Sequence, residues 1–176
     1  MNRAIFFDRD GILNKAIIKN NRPYSPLNIK ELKINKNLQK KIIYLKKYFK
    51  IFIVTNQPEI SRGNLKLSIL KKQNDIIKKF FKIDDIFYCP HDSSENCNCR
   101  KPKTKMFLNA KKKYKINFSK SYCIGDRWKD IHASNKLKIY SIFIDYNYSE
   151  KKPKKYFAKF KSVSAALKFI INKYSN

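Results

Sequence analysis

The sequence lacks any long hydrophobic run, and this absence limits the kinds of protein that it can encode. No segment approaches the roughly 18 consecutive apolar residues that a membrane-spanning helix needs. The chain also runs from Met1 directly into a charged segment at residues 8–10, which is not the pattern of a secretory signal peptide. We therefore expect a cytoplasmic protein with no membrane partner.

Internal repeats and low-complexity segments are absent as well, and the chain is short. Its 176 residues suffice for one domain with a sizeable core but are few for two. Hydrophobic residues make up 43% of the chain, which is typical of a folded protein and not of a disordered one. We predict a single domain over residues 1–176 and expect it to be a monomer.

Arginine is scarce although the chain is strongly basic. Lys and Arg total 41 against 13 Asp and Glu, for a formal net charge of +28, yet only six of the basic residues are arginine. The lysines are spread along the whole chain, as in the proteins of AT-rich genomes. This distribution favours a solvated lysine surface, so we expect no specific nucleic-acid partner. Weak, non-specific binding to polyanions at low salt would still follow from the charge.

Short apolar runs alternate along the chain with segments in which apolar residues have a helical spacing. The runs, which predict buried strands, lie at residues 4–7, 51–54, 86–88, 122–124 and 141–144. The helical segments lie at residues 38–49, 67–81, 106–114, 131–137 and 163–171. This alternation predicts an α/β fold with a Rossmann-like, mainly parallel sheet flanked by helices. Residues 12–29 and 151–155 are predicted to be loops.

Polar residues follow three of the predicted strands. Asp8, Thr55 and the pair Gly125-Asp126 each come directly after an apolar run. In parallel α/β sheets the ligand site lies at the carboxyl ends of the strands. We therefore expect these residues to converge at one edge of the sheet.

The segment Asp8-Arg9-Asp10-Gly11 places two carboxylates at the end of the first strand. One carboxylate can attack phosphorus and split a hydrolysis into two easier steps. The second can protonate the leaving oxygen and then activate water. Gly11 would allow a sharp turn after the strand. Taken alone the pattern is weak, because loop carboxylates without a role are common.

The segment from Gly125 to Asp130 offers two further carboxylates. Mg²⁺ prefers hard oxygen ligands, so Asp126 could share a cation with Asp8 while Asp130 orients the site. The alternative is that Asp130 only stabilises the first turn of a helix.

Two more segments carry groups that suit a phosphate. Thr55-Asn56-Gln57 ends a strand with a hydroxyl and free backbone N–H groups, and Arg100-Lys101 supplies two cations. A structural turn uses the same residue types as the first segment, and a single lysine says little in so basic a chain.

Three of the four cysteines cluster beside a histidine. The spacing Cys89-x-His91, five residues, then Cys97-x-Cys99 supplies three thiolates and one imidazole, which satisfy tetrahedral Zn²⁺ and leave no open position. We predict a structural zinc loop over residues 89–99. The alternative is a reduced, metal-free cysteine loop. The fourth cysteine, Cys123, lies in an apolar run and is predicted to be a buried hydrophobe.

Together these motifs resemble the phosphatases of the haloacid dehalogenase superfamily. They resemble specifically the branch that contains D-glycero-D-manno-heptose 1,7-bisphosphate phosphatase and the histidinol-phosphate phosphatase domain. The resemblance covers about residues 3–144 and implies a haloacid dehalogenase-like fold with a zinc loop and no separate cap domain. The matching motifs are Asp8-Arg9-Asp10-Gly11, Thr55-Asn56-Gln57 with Arg62-Gly63, Cys89-Pro90-His91 with Cys97-x-Cys99-Arg100-Lys101-Pro102, and Ile124-Gly125-Asp126-Arg127.

The resemblance also implies a role for each motif residue. Asp8 would be the nucleophile and Asp10 the general acid and base. Mg²⁺ would bind the Asp8 carboxylate, the Asp10 backbone carbonyl and Asp126. Thr55 and Lys101 would stabilise the transferring phosphoryl group, whose equatorial oxygens carry negative charge. The remaining residues would bind the substrate: Asn56, Gln57, Arg100 and Arg127.

The expected activity is Mg²⁺-dependent hydrolysis of a small-molecule phosphomonoester through an aspartyl-phosphate. A sugar phosphate such as D-glycero-D-manno-heptose 1,7-bisphosphate is the first candidate, because Arg62-Gly63 follows the Thr-Asn-Gln segment. Histidinol phosphate is the second. A polynucleotide 3′-phosphatase, which uses similar motifs but is not expected to carry the zinc loop, is the third. Pro58-Glu59 and residues 14–27 depart from the pattern of the heptose enzymes, and both shape the pocket.

A protein without enzymatic activity remains as a further alternative. It would be a basic zinc module that binds nucleic acid and has a degenerate site. The intact carboxylates Asp8, Asp10 and Asp126, together with Lys101, argue against this alternative.

Overall fold

The computed structural model describes residues 1–174 and is organised around a six-stranded sheet. The strands are β1 (Ala4–Phe7), β2 (Ile17–Lys19), β3 (Arg22–Tyr24), β4 (Lys50–Asn56), β5 (Asp85–Cys89), β6 (Tyr122–Gly125), β7 (Tyr140–Ile144) and β8 (Ala158–Phe160). The sheet has the order β5-β4-β1-β6-β7-β8, and all its neighbouring strands are parallel. β2 and β3 form a separate antiparallel hairpin.

Helices connect the strands and cover the sheet. They are α1 (Gln39–Leu45), α2 (Leu67–Phe81), α3 (Lys105–Tyr114), α4 (Trp128–Lys136) and α5 (Val163–Asn172). The predicted α/β fold with a mainly parallel sheet and flanking helices is therefore confirmed. No helix within residues 1–174 has both the length and the apolar character that crossing a bilayer requires.

The sheet is buried on both faces, because successive residues of a strand point to opposite sides. On one face, Ile5 and Phe7 of β1 pack in a cluster with apolar residues of α1, α2 and α5. On the other face, Ala4 and Phe6 pack with residues of α3 and α4. Double burial explains why the central strands are continuous apolar runs and not alternating ones.

The prediction of an irregular loop over residues 12–29 is wrong in part. The hairpin of β2 and β3 turns at Asn20 and Asn21, whose φ angles are 49° and 54°. Asparagine tolerates this left-handed conformation, which a two-residue hairpin turn requires. The strands have only three residues each, and Pro23 lies in the second, so they show too little alternation to be recognised from sequence.

A third strand that the sequence does not predict lies near the other end of the chain. Residues 151–155 are a loop as predicted, but β8 follows them and pairs in parallel with β7 before α5 begins. β8 is a three-residue edge strand that is only partly buried, so it lacks the apolar run that marked the central strands.

Candidate active site

A cleft opens at the carboxyl ends of β1, β4 and β6. From β1 the chain adds β4 and β5 on one side and β6, β7 and β8 on the other, so the gap between β1 and β6 is a topological switch point. The hairpin contributes Pro23 and Tyr24 to the wall of the cleft, followed by Ser25. The cleft is lined by most of the residues singled out in the sequence: Asp8, Asp10, Thr55, Asn56, Arg100, Lys101 and Arg127.

Lys101 is buried between two carboxylates. Its Nζ lies 3.0 Å from Asp8 Oδ1, forms an ion pair with Asp130 and donates to the Val54 carbonyl at 2.6 Å. Burial alone would lower the pKa of Lys101, but Asp130 and Asp8 raise it, so the amine stays charged. The Asn56 side chain accepts from the Lys101 N–H at 3.0 Å and donates to its carbonyl at 3.1 Å. Asn56 therefore fixes the backbone that carries this cation.

Asp8 and Asp126 present oxygens that the protein leaves without strong partners. The two hydrogen bonds to the Asp8 side chain, from Lys101 Nζ and from the Arg9 backbone N–H at 2.8 Å, both go to Oδ1. Neither oxygen of the buried Asp126 accepts a well-formed hydrogen bond from the described residues, although the Tyr148 hydroxyl is near. Carboxylate oxygens of Asp8, Asp126 and Asp130 lie within 4.8 Å of one another. This donor set fits a hard divalent cation such as Mg²⁺.

The close approach of Asp126 depends on a glycine. Gly11 has a φ of +88°, and a Cβ added there would lie 2.0 Å from Asp126 Oδ2. Any side chain at this position would displace the Asp126 carboxylate and strain the backbone. The loop after β1 and the end of β6 thus meet at the point where the carboxylates gather.

The residues around Asp8 and Asp126 supply too little positive charge to balance these two buried carboxylates. Burial raises the pKa of Asp8 to about 6, since the lowering by Lys101 is opposed by Asp130 and Asp10. Burial, Asp8 and Asp130 together raise the pKa of Asp126 well above its usual range. A bound cation would relieve this repulsion and favour both carboxylates in the charged form.

Asp10 is held differently, by five hydrogen bonds from four residues. Arg9 donates through Nε and Nη2 at 3.1 Å each, Asn14 at 2.9 Å, and Ser25 and Gln57 at 2.8 Å each. Burial would raise the pKa of Asp10, but the Arg9 guanidinium and these hydrogen bonds hold it below its usual value. The arrangement favours the carboxylate, which is the form of a general base. To donate a proton, Asp10 has to give up some of these contacts.

Gln57 does not reach the cleft, contrary to the expectation that it binds the substrate. It is fully buried, and its amide nitrogen donates to Asp10 at 2.8 Å and to Thr55 Oγ1 at 2.9 Å. Its carbonyl oxygen accepts from Arg9 Nη2 at 3.2 Å. Gln57 lies under the site because its side chain is directed at Asp10 and Thr55 and not at the cleft. It positions Asp10 and Thr55.

Arg62, which favoured a heptose substrate in the sequence, is also absent from the cleft lining. Its guanidinium pairs with Glu59 at 2.6 Å and with both oxygens of Asp92 at 2.8 and 2.9 Å. Glu59 is buried and also accepts from Asn64 at 2.7 Å. Arg62 therefore ties the loop after β4 to the cysteine loop. Pro58, by contrast, lines the cleft.

The cysteine loop brings its four predicted ligands to one point. Sγ–Sγ distances among Cys89, Cys97 and Cys99 are 3.0 to 3.5 Å, and His91 Nδ1 lies 3.2 Å from Cys99 Sγ. None of these cysteines forms a disulfide. Three thiols and an imidazole nitrogen facing each other match the closed tetrahedral set of a structural zinc site.

The cysteine loop also holds a cation of the cleft. Arg100 Nη1 donates to the His91 carbonyl at 3.0 Å, and Nη2 lies 3.9 Å from Asp92. Arg100 directly follows Cys99 and directly precedes Lys101. The conformation of this loop therefore decides where both cations lie.

We expect Cys97→Ser to lose zinc and to be destabilised by about 2 kcal/mol or more, because a tetrahedral site with a missing thiolate binds zinc poorly. KM should rise by about tenfold through misplacement of Arg100, with a smaller change in kcat. Metal analysis, urea unfolding and steady-state kinetics measure the three effects.

Cys123→Ala is the matched control, since Cys123 is buried in β6 outside the cluster. It should keep one zinc per chain whatever its stability. A wild-type protein purified without chelator that holds no zinc, or a Cys97→Ser protein with unchanged stability and KM, would contradict the zinc prediction.

Several site residues had no recognisable signal in the sequence. Arg9 is fully buried in the site. In the sequence, only its position between the two aspartates of the first motif indicates that it belongs there. Asn14 and Ser25 reach Asp10 only because the segment after β1 folds back over it. Lys129 lines the cleft, and Glu150 accepts a hydrogen bond from the cleft residue Arg127. Neither residue stands out in the sequence of so charged a chain.

Comparison with known proteins identifies the family. The sequence model of the haloacid dehalogenase-like hydrolases matches residues 13–137. The chain is 34% identical over 180 residues to a D-glycero-alpha-D-manno-heptose-1,7-bisphosphate 7-phosphatase of Campylobacter jejuni. This alignment covers 97% of each chain. It is 32% identical over 151 residues to the corresponding beta-anomer 7-phosphatase of Helicobacter pylori, covering 78% of this chain and 80% of that one.

Two further comparisons bear on the substrate and the fold. A histidine biosynthesis bifunctional protein of Campylobacter jejuni is 33% identical over 144 residues, covering 78% of this chain and 40% of that protein. The crystal structure of D,D-heptose 1,7-bisphosphate phosphatase from B. bronchiseptica, complexed with magnesium and phosphate, superposes with a TM-score of 0.80 at 19% identity, covering 97% and 99% of the two chains. The family match over most of the chain and its phosphatase relatives show that this protein belongs to the haloacid dehalogenase-like hydrolases and is a phosphatase.

Proposed function

We propose that the protein is a Mg²⁺-dependent phosphomonoester hydrolase that acts through an aspartyl-phosphate, with a D-glycero-D-manno-heptose 1,7-bisphosphate as its substrate. The observation that carries the chemistry is the state of Asp8 in the cleft. Lys101 and the Arg9 N–H hold its Oδ1, and Oδ2 accepts no hydrogen bond from the described residues. A carboxylate oriented through one oxygen has the other available for attack on phosphorus.

In the first step, Asp8 Oδ2 forms a bond to phosphorus and the bond from phosphorus to the ester oxygen breaks. A proton from Asp10 goes to the leaving sugar oxygen. The Lys101 ammonium, the Thr55 hydroxyl and the Arg100 guanidinium lie around the same cleft, where they stabilise the charge on the equatorial oxygens.

In the second step, water attacks the phosphorus of the aspartyl-phosphate and the bond to Asp8 breaks. Asp10 takes a proton from the water, which releases inorganic phosphate and restores both aspartates. The hydrogen bonds that lower the pKa of Asp10 keep it deprotonated, which is the form in which it enters this step.

Mg²⁺ would be held by the Asp8 and Asp126 carboxylates and the Asp10 backbone carbonyl, where it would supply charge that offsets the phosphate oxygens. Asp130 lies beside this group but is engaged by Lys101 and by the Arg127 N–H at 3.2 Å. Asp130 therefore holds Lys101 and the start of α4 in place.

The relatives support a heptose bisphosphate as the substrate, since the protein of Campylobacter jejuni that matches over 97% of both chains is a heptose-1,7-bisphosphate 7-phosphatase. Histidinol phosphate is the second candidate, because the bifunctional histidine biosynthesis protein matches over 78% of this chain. A 3′-phosphorylated polynucleotide is the third candidate.

A turnover screen tests the substrate. Release of inorganic phosphate is measured with both anomers of the heptose 1,7-bisphosphate, with histidinol phosphate and with a 3′-phosphorylated oligonucleotide. We expect the highest kcat/KM with a heptose bisphosphate. A higher kcat/KM with either of the other substrates would overturn the assignment of substrate and leave the phosphatase chemistry in place.

Removal of magnesium should lower activity by about 100-fold or more, reversibly, because a carboxylate-bound Mg²⁺ exchanges readily. Activity is measured after EDTA treatment and again after addition of MgCl₂. Zinc content is measured at each stage, so that loss of zinc is not mistaken for loss of magnesium. Full activity in metal-free buffer would contradict the role proposed for Asp126.

A further inference from the structure

Lys129 is a cation of the cleft that forms no ion pair with any described carboxylate. It lines the cleft together with Arg100 and Arg127 and is partly buried. Within residues 1–174 its side chain forms no ion pair or hydrogen bond, and its Nζ lies 5.7 Å from the centroid of the Trp128 ring.

Three features of its surroundings disfavour the charge. Burial lowers the pKa of Lys129, and Arg127 and Arg100 lower it further, against smaller opposite effects of Glu150 and Asp130. Lys129 also occupies the first turn of α4, where the helix dipole opposes a cation. A charge in such a place is stabilised when an anion pairs with it.

The nearby carboxylates are engaged elsewhere. Glu150 binds Arg127 in a fork, accepting from Nε at 2.8 Å and from Nη2 at 2.6 Å. Asp130 pairs with Lys101 and caps α4 through the Arg127 N–H. The fork to Glu150 leaves Arg127 Nη1 without a partner among the described residues, so Lys129 and Arg127 both retain capacity for an anion.

We propose that Lys129 determines specificity by binding, together with Arg127, a second phosphate of the substrate, remote from the phosphate that Asp8 attacks. The inference rests on the proposed function, since it places the non-reacting phosphate of a sugar bisphosphate. The same cations disfavour histidinol phosphate, which carries a protonated amine near neutral pH. Glu150 acts through Arg127 as a positioning residue.

The test compares Lys129→Gln with wild type on three substrates: the heptose 1,7-bisphosphate, the heptose 7-phosphate and p-nitrophenyl phosphate. We expect kcat/KM for the bisphosphate to fall by about 10- to 100-fold, the effect of losing a charge-assisted hydrogen bond, mainly through KM. The two monophosphates should change by less than about threefold. Lys129→Arg, which keeps the charge, should restore part of the preference.

Lys136→Gln is the control, because Lys136 is an exposed lysine of the same helix outside the cleft. It should behave as wild type on all three substrates. The inference is overturned if Lys129→Gln keeps the wild-type preference for the bisphosphate. It is also overturned if all three substrates are impaired equally, which would indicate a structural role beside Trp128.

Failure of the proposed function is distinguishable from failure of this inference. If wild type does not hydrolyse the heptose bisphosphate, the proposed substrate is wrong. The inference is then measured through inhibition of p-nitrophenyl phosphate hydrolysis by fructose 1,6-bisphosphate and by fructose 6-phosphate. In wild type we expect a lower Ki for fructose 1,6-bisphosphate than for fructose 6-phosphate. The ratio of the fructose 6-phosphate Ki to the fructose 1,6-bisphosphate Ki should fall about tenfold in Lys129→Gln. An unchanged ratio would overturn the inference.

Discussion

Asp8→Asn is expected to abolish turnover, with a loss of about 10⁴-fold or more, the order seen when the nucleophile of a covalent hydrolase is removed. The amide has the shape of the carboxylate but is a poor nucleophile toward phosphorus and a poor ligand for Mg²⁺. The fold should persist, because asparagine can still accept a hydrogen bond from Lys101 and fills the same volume.

Two measurements make the Asp8 prediction specific. Circular dichroism and the zinc content should match wild type, which separates loss of chemistry from loss of structure. Mass spectrometry of acid-quenched samples should find a phosphorylated peptide containing Asp8 in wild type during turnover and none in the variant. Near-native activity of Asp8→Asn, or phosphorylation at another residue, would rule out the covalent mechanism through Asp8.

Lys101→Gln should be the most destabilising of these substitutions, and it should also be strongly impaired in catalysis. Removing one member of a buried ion pair leaves uncompensated charge, and here both Asp8 and Asp130 lose their partner. We expect a loss of about 3 kcal/mol in the free energy of unfolding. We expect kcat to fall by about 10²–10³-fold, as when a donor to a transition-state oxyanion is removed.

Lys105→Gln provides the matched control for Lys101→Gln. Lys105 is the first residue of α3 and is exposed, so its loss should change the unfolding free energy by no more than about 0.5 kcal/mol. Urea unfolding and initial rates at saturating Mg²⁺ measure both variants. A Lys101→Gln protein with the stability and kcat of Lys105→Gln would show that the Asp8–Lys101–Asp130 chain has no energetic role.

The cysteine loop and the chemistry are connected through a short stretch of chain. Cys99, Arg100 and Lys101 are consecutive, so the proposed zinc site is one residue away from one cation of the cleft and two from the other. Arg62 and Asp92 join the same loop to the segment after β4. These contacts are the physical reason why we expect a zinc ion in this loop to affect substrate binding without taking part in the reaction.

Most of the central sheet could be predicted from the sequence, and the edges could not. β1, β4 and β6 are buried on both faces, which requires continuous apolar runs that are visible in any sequence. The hairpin and β8 consist of three-residue strands with partial exposure, and their pairing depends on distant partners. Short strands of this kind are stabilised by neighbours in space more than by their own residues.

The sequence by itself determined the α/β class, the convergence of polar residues at the strand ends, and the four zinc-ligand candidates, because each rests on local spacing along one segment. Only the tertiary structure decided what each polar side chain does within the site. It placed Gln57 beneath Asp10, directed Arg62 to Asp92 and Glu59, and left Lys129 in the cleft without a carboxylate partner. Hydrogen bonds and ion pairs require two groups to lie within a few ångströms of each other. Here they join segments that are far apart in the chain, and the spacing of residues along the sequence does not determine which of those segments meet.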